Sequence, residues 1–420
     1  MIINKYAVPL AYPLAEDNLL DVSPGSSNYF WFANNAHAVL GTPWRPGGLP
    51  YSITMQTEHD TLVATAGIVS AGPASGLSMS TASGLPFAAY TDTAGTGRTS
   101  TVNPAPTQKK WNWDGDFKST GFSGTVGGLA FATKTEVPAS FNSPVIEYIG
   151  GDVDNSTFWI GSVKNVTLFD GSPIQGREYQ TGDGTTGGTL NSSIPLDCSR
   201  PFNISFDWVN GQDGTDNQCF LGHDTLYSVT RLLVRTNGTM RFYCGEDSIY
   251  LDWIGALSEI ALGQAARYEI NYDGTNPATL TIDGGTPRVS TTTGSFYTQS
   301  SSIKKIMQTA GNTLKVRGAF ANLNINITHF LYGPISFTYP LTKQPDNTLL
   351  IENTDPTTGA AFNGVWTAPN WVDVPLRSQK FAINEGAGTQ LQDSFHPGDI
   401  AYNAVLTTAT PTGGGWNGKP

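Results

Sequence analysis

The strongest constraint on this chain is that it repeats itself. Pro50-Tyr51-Ser52-Ile53-Thr54-Met55 matches Pro201-Phe202-Asn203-Ile204-Ser205-Phe206 at an offset of 151, with large apolar side chains at alternate positions and small polar ones between. Period two is the mark of a half-buried strand. A second match sits at an offset of 172: Phe158-Trp159-Ile160-Gly161 against Phe330-Leu331-Tyr332-Gly333, continuing to Asp183-Gly184-Thr185-Thr186-Gly187 against Asp355-Pro356-Thr357-Thr358-Gly359. The two offsets together predict two copies of one module, the second carrying an insertion of about 21 residues in its loops. The expected division is an N-terminal arm over 1–26, module 1 over 27–176, module 2 over 177–342 and a C-terminal segment over 343–420, too short for a third copy. That segment echoes one element, Phe381-Ala382-Ile383-Asn384-Glu385-Gly386 against Tyr179-Gln180-Thr181-Gly182-Asp183-Gly184.

The modules read as all-β. Only 14% of the 420 residues are charged, while 47 Gly and 26 Pro punctuate the chain every few positions, a composition of strands and turns. In module 2, Leu232–Thr236 and Met240–Tyr243 flank Asn237-Gly238, the pair suited to a tight hairpin turn. Tyr268–Tyr272 leads into Asp273-Gly274, and Leu280–Ile282 into Asp283-Gly284. Only Ala256 to Ala266 could be helical, so helix is expected to stay below about 10% against the usual 30–35%. The 20 Phe, 16 Tyr and 10 Trp are too much apolar surface for a disordered chain.

Charge and motifs exclude several functions. A net charge of −11 sets the wrong field for a polyanion, so no nucleic-acid partner is expected, and Lys109–Lys110 and Lys304–Lys305 are too sparse to change that. No run of about 20 apolar residues predicts a membrane span. The stretch Ala7 to Ala15, broken by Pro9 and Pro13 and preceded only by Lys5, makes a poor export signal, so the chain is expected to be made in the cytoplasm. Without export, the six Asn-x-Ser/Thr sequons stay unmodified. Cys198, Cys219 and Cys244 form no C-x-x-C pair; one disulfide can be drawn among them, but the odd count favours buried free thiols.

Catalytic signatures are sparse. The five histidines stand singly, without the i, i+4 spacing of a metal pair. No Gly-x-Ser-x-Gly elbow occurs. Gly182–Gly187 fits a dinucleotide fingerprint, yet Pro195 and the polar run before it cannot open the required helix. Glu58 and Asp60 have the strand spacing of a glycosidase carboxylate pair, but an isolated acid pair reads equally as a solvated strand end, and E-x-D-x-x-E is absent. The expected catalytic set is empty, and no metal centre is expected. For ligand binding the candidates are Asp213, Asp216 and Asn217, whose oxygens could hold Ca²⁺ or sugar hydroxyls, although an Asx-turn loop uses the same residues. Trp253 could stack on a sugar or fill the core. Trp366, Trp371, Phe381 and Trp416 are the candidate assembly contacts, because an aromatic-rich tail too short to fold alone needs a partner surface.

Pro201–Trp208, the hairpin after it, Tyr268–Ile270 and Leu280–Gly284 resemble the core strands of concanavalin A-like and laminin-G-like jelly rolls. The endings Phe158–Tyr179 and Phe381–Trp416, with Glu385–Thr389, Asp393-Ser394 and Gly413–Trp416, resemble those of bacteriophage tail, fibre and capsid-decoration proteins. The resemblance implies tandem antiparallel β-sandwiches followed by a β-rich C-terminal segment. It also implies a non-enzymatic virion surface protein that contacts itself, other virion proteins and host surface glycans. A secreted carbohydrate-binding lectin and a jelly-roll glycosidase are the rival readings, since fold alone does not fix function.

Overall fold

The computed structural model describes residues 30–32, 36–59, 65–71, 76–139, 145–152, 157–183, 187–211, 217–223, 230–246, 248–256, 260, 262–275, 277–308, 316–344, 346, 348–367, 369–374, 376–383, 389–407 and 415–416. The expected arm over 1–26 lies outside these. The described residues form strands and three short 3-10 turns, with no α-helix. Ala265–Tyr272 is a strand, so the end of the one stretch with helical character is extended chain.

Two compact units emerge, and they are nested in sequence: Met1–Gly171 with Leu376–Pro420, and Ser172–Pro375 between them. This differs from the expected boundaries at 176/177 and 342/343. The C-terminal residues are the closing strands of both units rather than a separate segment.

In the first unit, the strands of one sheet run Leu129–Ala130, Gly121–Val126, Lys110–Lys118, Tyr51–Glu58, Gly161–Asp170, Phe30–Phe32 and Gly415–Trp416, with Gln379–Phe381 also on Gly161–Asp170. The facing sheet centres on His37–Trp44, Ile146–Ile149 and Ala66–Ser70. Tyr51, Ile53 and Met55 point into the space between them and meet Ile68, Val69 and Met79 in one buried cluster. Ser52, Thr54 and Gln56 alternate outward, as period two dictates.

The second unit repeats the strand order of this first sheet. Phe202–Val209 takes the central place, flanked by Ala265–Tyr272 and Arg317–His329, then Arg177–Asp183 and Trp371–Val374. Phe206 stacks on Tyr268 at 5.2 Å and tilts against Phe220 and Phe320 at 4.9 and 5.3 Å, where each buried ring contributes roughly 1.5–3 kcal/mol. The Trp208 indole donates to the Arg317 carbonyl at 2.7 Å. Among the described residues, pairing is antiparallel apart from a parallel bridge between Phe158 and Gly67.

The expected match of Ile53 with Ile204 holds: Ile53 faces Gly115 and Leu168, and Ile204 faces Ile270 and Ile325. The match at 172 does not. Phe158 lies in a two-residue strand against Gly151, whereas Phe330 sits in an exposed turn. Gly161 corresponds instead to Gly318, an offset of 157: a Cβ at either would collide with a backbone carbonyl, that of Glu58 or that of Val209. Only glycine permits so close a crossing. Phe381 likewise pairs with Val166 as Tyr339 pairs with Leu323, so its counterpart is Tyr339 and not Tyr179.

The nesting is stitched at its ends. Within the first unit, Asp170 N–H donates to Ser378 Oγ at 2.9 Å, and the buried Asp170 carboxylate accepts from Gly47 N–H at 2.8 Å, with Arg377 at 3.9 Å. His396 sets Nδ1 2.5 Å from Asp393 and Nε2 2.8 Å from the Leu376 carbonyl. Within the second unit, Gly176 N–H donates to the Val374 carbonyl at 2.6 Å, which brings its two ends together.

Candidate ligand-binding groove

Most residues singled out from sequence do not converge. Asp213 and Asp216, the candidate oxygen ligands for Ca²⁺ or sugar hydroxyls, lie outside the described residues. Asn217 Oδ1 accepts from Thr236 N–H at 3.1 Å, the loop-pinning role. Trp253 and Trp366 are buried in the second unit's core, and Trp371 packs on that core. Phe381 is fully buried in the first unit. Trp416 pairs through its backbone with Phe30. For Trp366 and Phe381 the expectation of an assembly contact is therefore corrected, because the closing strands bury both within the two sandwiches. Glu58 ends its strand 3.5 Å from Lys110, and Asp60 lies outside the described residues. All three cysteines are free and buried. Among the described residues, no group of three or more His, Cys, Asp or Glu could hold a metal ion.

The surface feature that stands out is the hairpin between Arg317–His329 and Gly333–Tyr339. Its last pair is His329 with Gly333, so Phe330, Leu331 and Tyr332 form a three-residue loop, closed by Gly333 at φ 73°, as such loops require. These side chains are 63%, 66% and 74% exposed. The His329 ring stacks on Tyr332 at 4.9 Å and meets Phe330 at 4.7 Å. Its Nδ1 accepts from Leu331 N–H at 3.2 Å, which in the neutral ring leaves the proton on Nε2.

Beside the loop is an open groove of about 340 Å³, lined by Pro195, Leu196, Asp197, Ser300, Ser301, Ile327, Thr328, His329 and Phe330. Its floor follows from pairing: Asp197 faces Ser300 and Leu196 faces Ser301. Asp197 Oδ1 accepts from Ser199 N–H at 2.9 Å and Ser199 Oγ–H at 2.6 Å, with Arg200 at 3.4 Å from Oδ2. Burial pushes this carboxyl upward, but the Ser199 bonds and Arg200 outweigh it and hold the group below its ordinary range. The groove thus joins aromatic faces, three hydroxyl side chains and one fixed anion.

In the first unit no such loop exists, because the corresponding turn after Asp170 is where Ser172–Pro375 is inserted. Sequence reading missed the loop by taking Phe330–Gly333 as a repeat element. The signal was present: three large apolar residues in a row, ending in Gly-Pro, break the alternation on either side.

No family model and no curated protein matches this chain. Among solved structures, domains LG4-5 of the mouse laminin α1 chain are 14% identical, covering 75% of this chain and 93% of theirs at a TM-score of 0.28. A Bacteroides ovatus protein described as a "putative carbohydrate binding protein" is 7% identical over 94% of this chain and 93% of its own, at 0.25. The receptor-binding domain of botulinum neurotoxin type G is 9% identical over 81% and 85%, at 0.22. With scores this low, the fold assignment rests on the sheets themselves.

Proposed function

We propose that this chain is a non-enzymatic binding protein of a bacteriophage particle surface, a tail, fibre or capsid-decoration component, that engages host surface glycans through the groove at Phe330–Tyr332. The exposed aromatic loop beside the hydroxyl-lined groove carries this reading. Sugar rings present apolar C–H faces to aromatic side chains and hydroxyls to polar ones, and a site needs both to bind and orient them. Three adjacent large apolar side chains in water are an interaction surface rather than a stability device. Among the described residues lining the groove, Asp197 is the one carboxylate, whereas glycosidic cleavage uses two. The virion assignment draws on the likeness of the chain endings to phage surface proteins.

The test is a glycan array of bacterial surface polysaccharides probed with the full chain and with Phe330→Ser/Tyr332→Ser. Both residues are exposed, so the variant should fold normally. Binding by the parent and its loss in the variant is the expected outcome; equal binding would place the glycan site elsewhere. Release of reducing ends from any bound polysaccharide would overturn the non-enzymatic reading, and absence of the chain from purified particles the virion reading.

A further inference from the structure

We propose that Cys198 and Cys244 are a cross-linking site, closing into a disulfide within the second unit when the chain meets a small-molecule disulfide. Cys198 lies in the turn after strand Gly187–Asp197, and Cys244 directly follows strand Met240–Tyr243. Both are fully buried in the same core cluster, and the Cys244 thiol lies close enough to add to the upward shift of Cys198. A second contact fixes the approach. Cys198 N–H donates to the Gln299 carbonyl at 2.8 Å, and the Gln299 side chain covers Gly245, where a Cβ would lie 2.9 Å from Oε1. One residue thus touches both cysteine segments. A disulfide needs the two Cβ atoms about 3.5–4.5 Å apart, and the shared Gln299 contact holds the two segments side by side.

Cys219 is differently placed. It sits within strand Gln218–Gly222, outside that cluster, with its Sγ–H donating to the Leu221 carbonyl at 3.0 Å. The sequence joins three cysteines without distinguishing them; the fold separates a pair from a singleton.

With oxidised glutathione the chemistry balances. One protein thiolate attacks a glutathione sulfur, forming a mixed disulfide and expelling one glutathione thiolate. The second protein thiolate then attacks the protein sulfur of that mixed disulfide and expels the other. The two protein thiols lose their protons, and glutathione disulfide is reduced to two thiols. Burial raises the Cys198 thiol well above its ordinary value, so the folded unit reacts slowly.

The test incubates the full chain with oxidised glutathione in two arms, one native and one during refolding from urea. Free thiols are then alkylated, and a non-reduced digest is read by mass spectrometry. The expected product in the refolding arm, and more slowly in the native arm, is a Cys198–Cys244 linked peptide with Cys219 alkylated. A raised urea midpoint for the second unit should accompany it. Cys219→Ser should leave the product unchanged, and Cys244→Ser should abolish it. Three alkylated thiols in both arms, or a linkage that includes Cys219, would overturn the proposal.

Discussion

Asn165 and Asn322 hold the same position in two different sandwiches, each at φ 49° and each reaching the central strand of its own sheet. Asn165 donates its amide to Gln56 at 2.9 Å, and Asn322 to the buried Asp207 at 2.6 Å. Their backbone N–H groups donate to Ala382 and Pro340 at 3.2 and 3.1 Å, so both asparagines also hold the residue just after the neighbouring strand, Gln379–Phe381 or Gly333–Tyr339. Asparagine suits the place because it tolerates the left-handed region and bonds locally.

Asn322→Ala should destabilise the second unit by roughly 2–3 kcal/mol, combining alanine at positive φ with a lost bond to a charged group. Asn322→Gly, which relieves the backbone, should cost only about 1–2 kcal/mol. Urea midpoints of the two variants test this; equal losses would show that backbone strain plays no part.

Asp283 should give the second unit a pH dependence. Burial first, with Asp207 adding, raises its carboxyl from 3.8 to about 7, against the lowering effect of the Arg267 N–H bond and guanidinium. Between these values the folded state binds more protons than the unfolded state, so stability falls as pH rises through the window and levels off above it. Asp283→Asn keeps an acceptor for Arg267 N–H and tolerates φ 48°. Melting temperatures of parent and variant should coincide near the lower limit and favour the variant above about pH 7; a constant gap would remove Asp283 as the cause.

Trp366→Ala should act on stability and not on assembly. Its side chain is buried in the second unit against Trp371 at 6.3 Å, and emptying such a site costs about 3–5 kcal/mol. Unfolding should show that loss while light scattering under native conditions gives an unchanged mass. A change of mass without loss of stability would restore the assembly role expected from sequence.

Residues 172–375 expressed alone should unfold in one cooperative transition, since both sheets and the core cluster of that unit lie within them. Removing 376–420 should instead disrupt the first unit, which loses the strands Gln379–Phe381 and Ala404–Thr407 from its two sheets. Circular dichroism of the two truncations distinguishes these outcomes.

The all-β class was legible because alternation at Tyr51–Met55 and Phe202–Phe206 reports directly on burial. Nesting was not, because an offset measured along the chain says nothing about which sheet a later strand rejoins. The true tail repeat, Ala361-Phe362-Asn363-Gly364-Val365-Trp366-Thr367 against Ala401-Tyr402-Asn403-Ala404-Val405-Leu406-Thr407, was readable at an offset of 40. In the structure both stretches leave a 3-10 turn and enter the strand next to the edge of a sheet. The groove escaped notice for a related reason: Asp197, Ser300 and Thr328 are far apart in sequence and meet only through strand pairing.

The nested order also has a consequence during synthesis. The ribosome makes most of the first sandwich, then all 204 residues of Ser172–Pro375, and only then the strands that complete the first. At about 5–20 residues per second, the early strands wait roughly 10–40 s for their partners. The unit begun second is therefore the one able to finish folding first, and the strand edge along Gly161–Asp170 stays open to wrong partners throughout that interval.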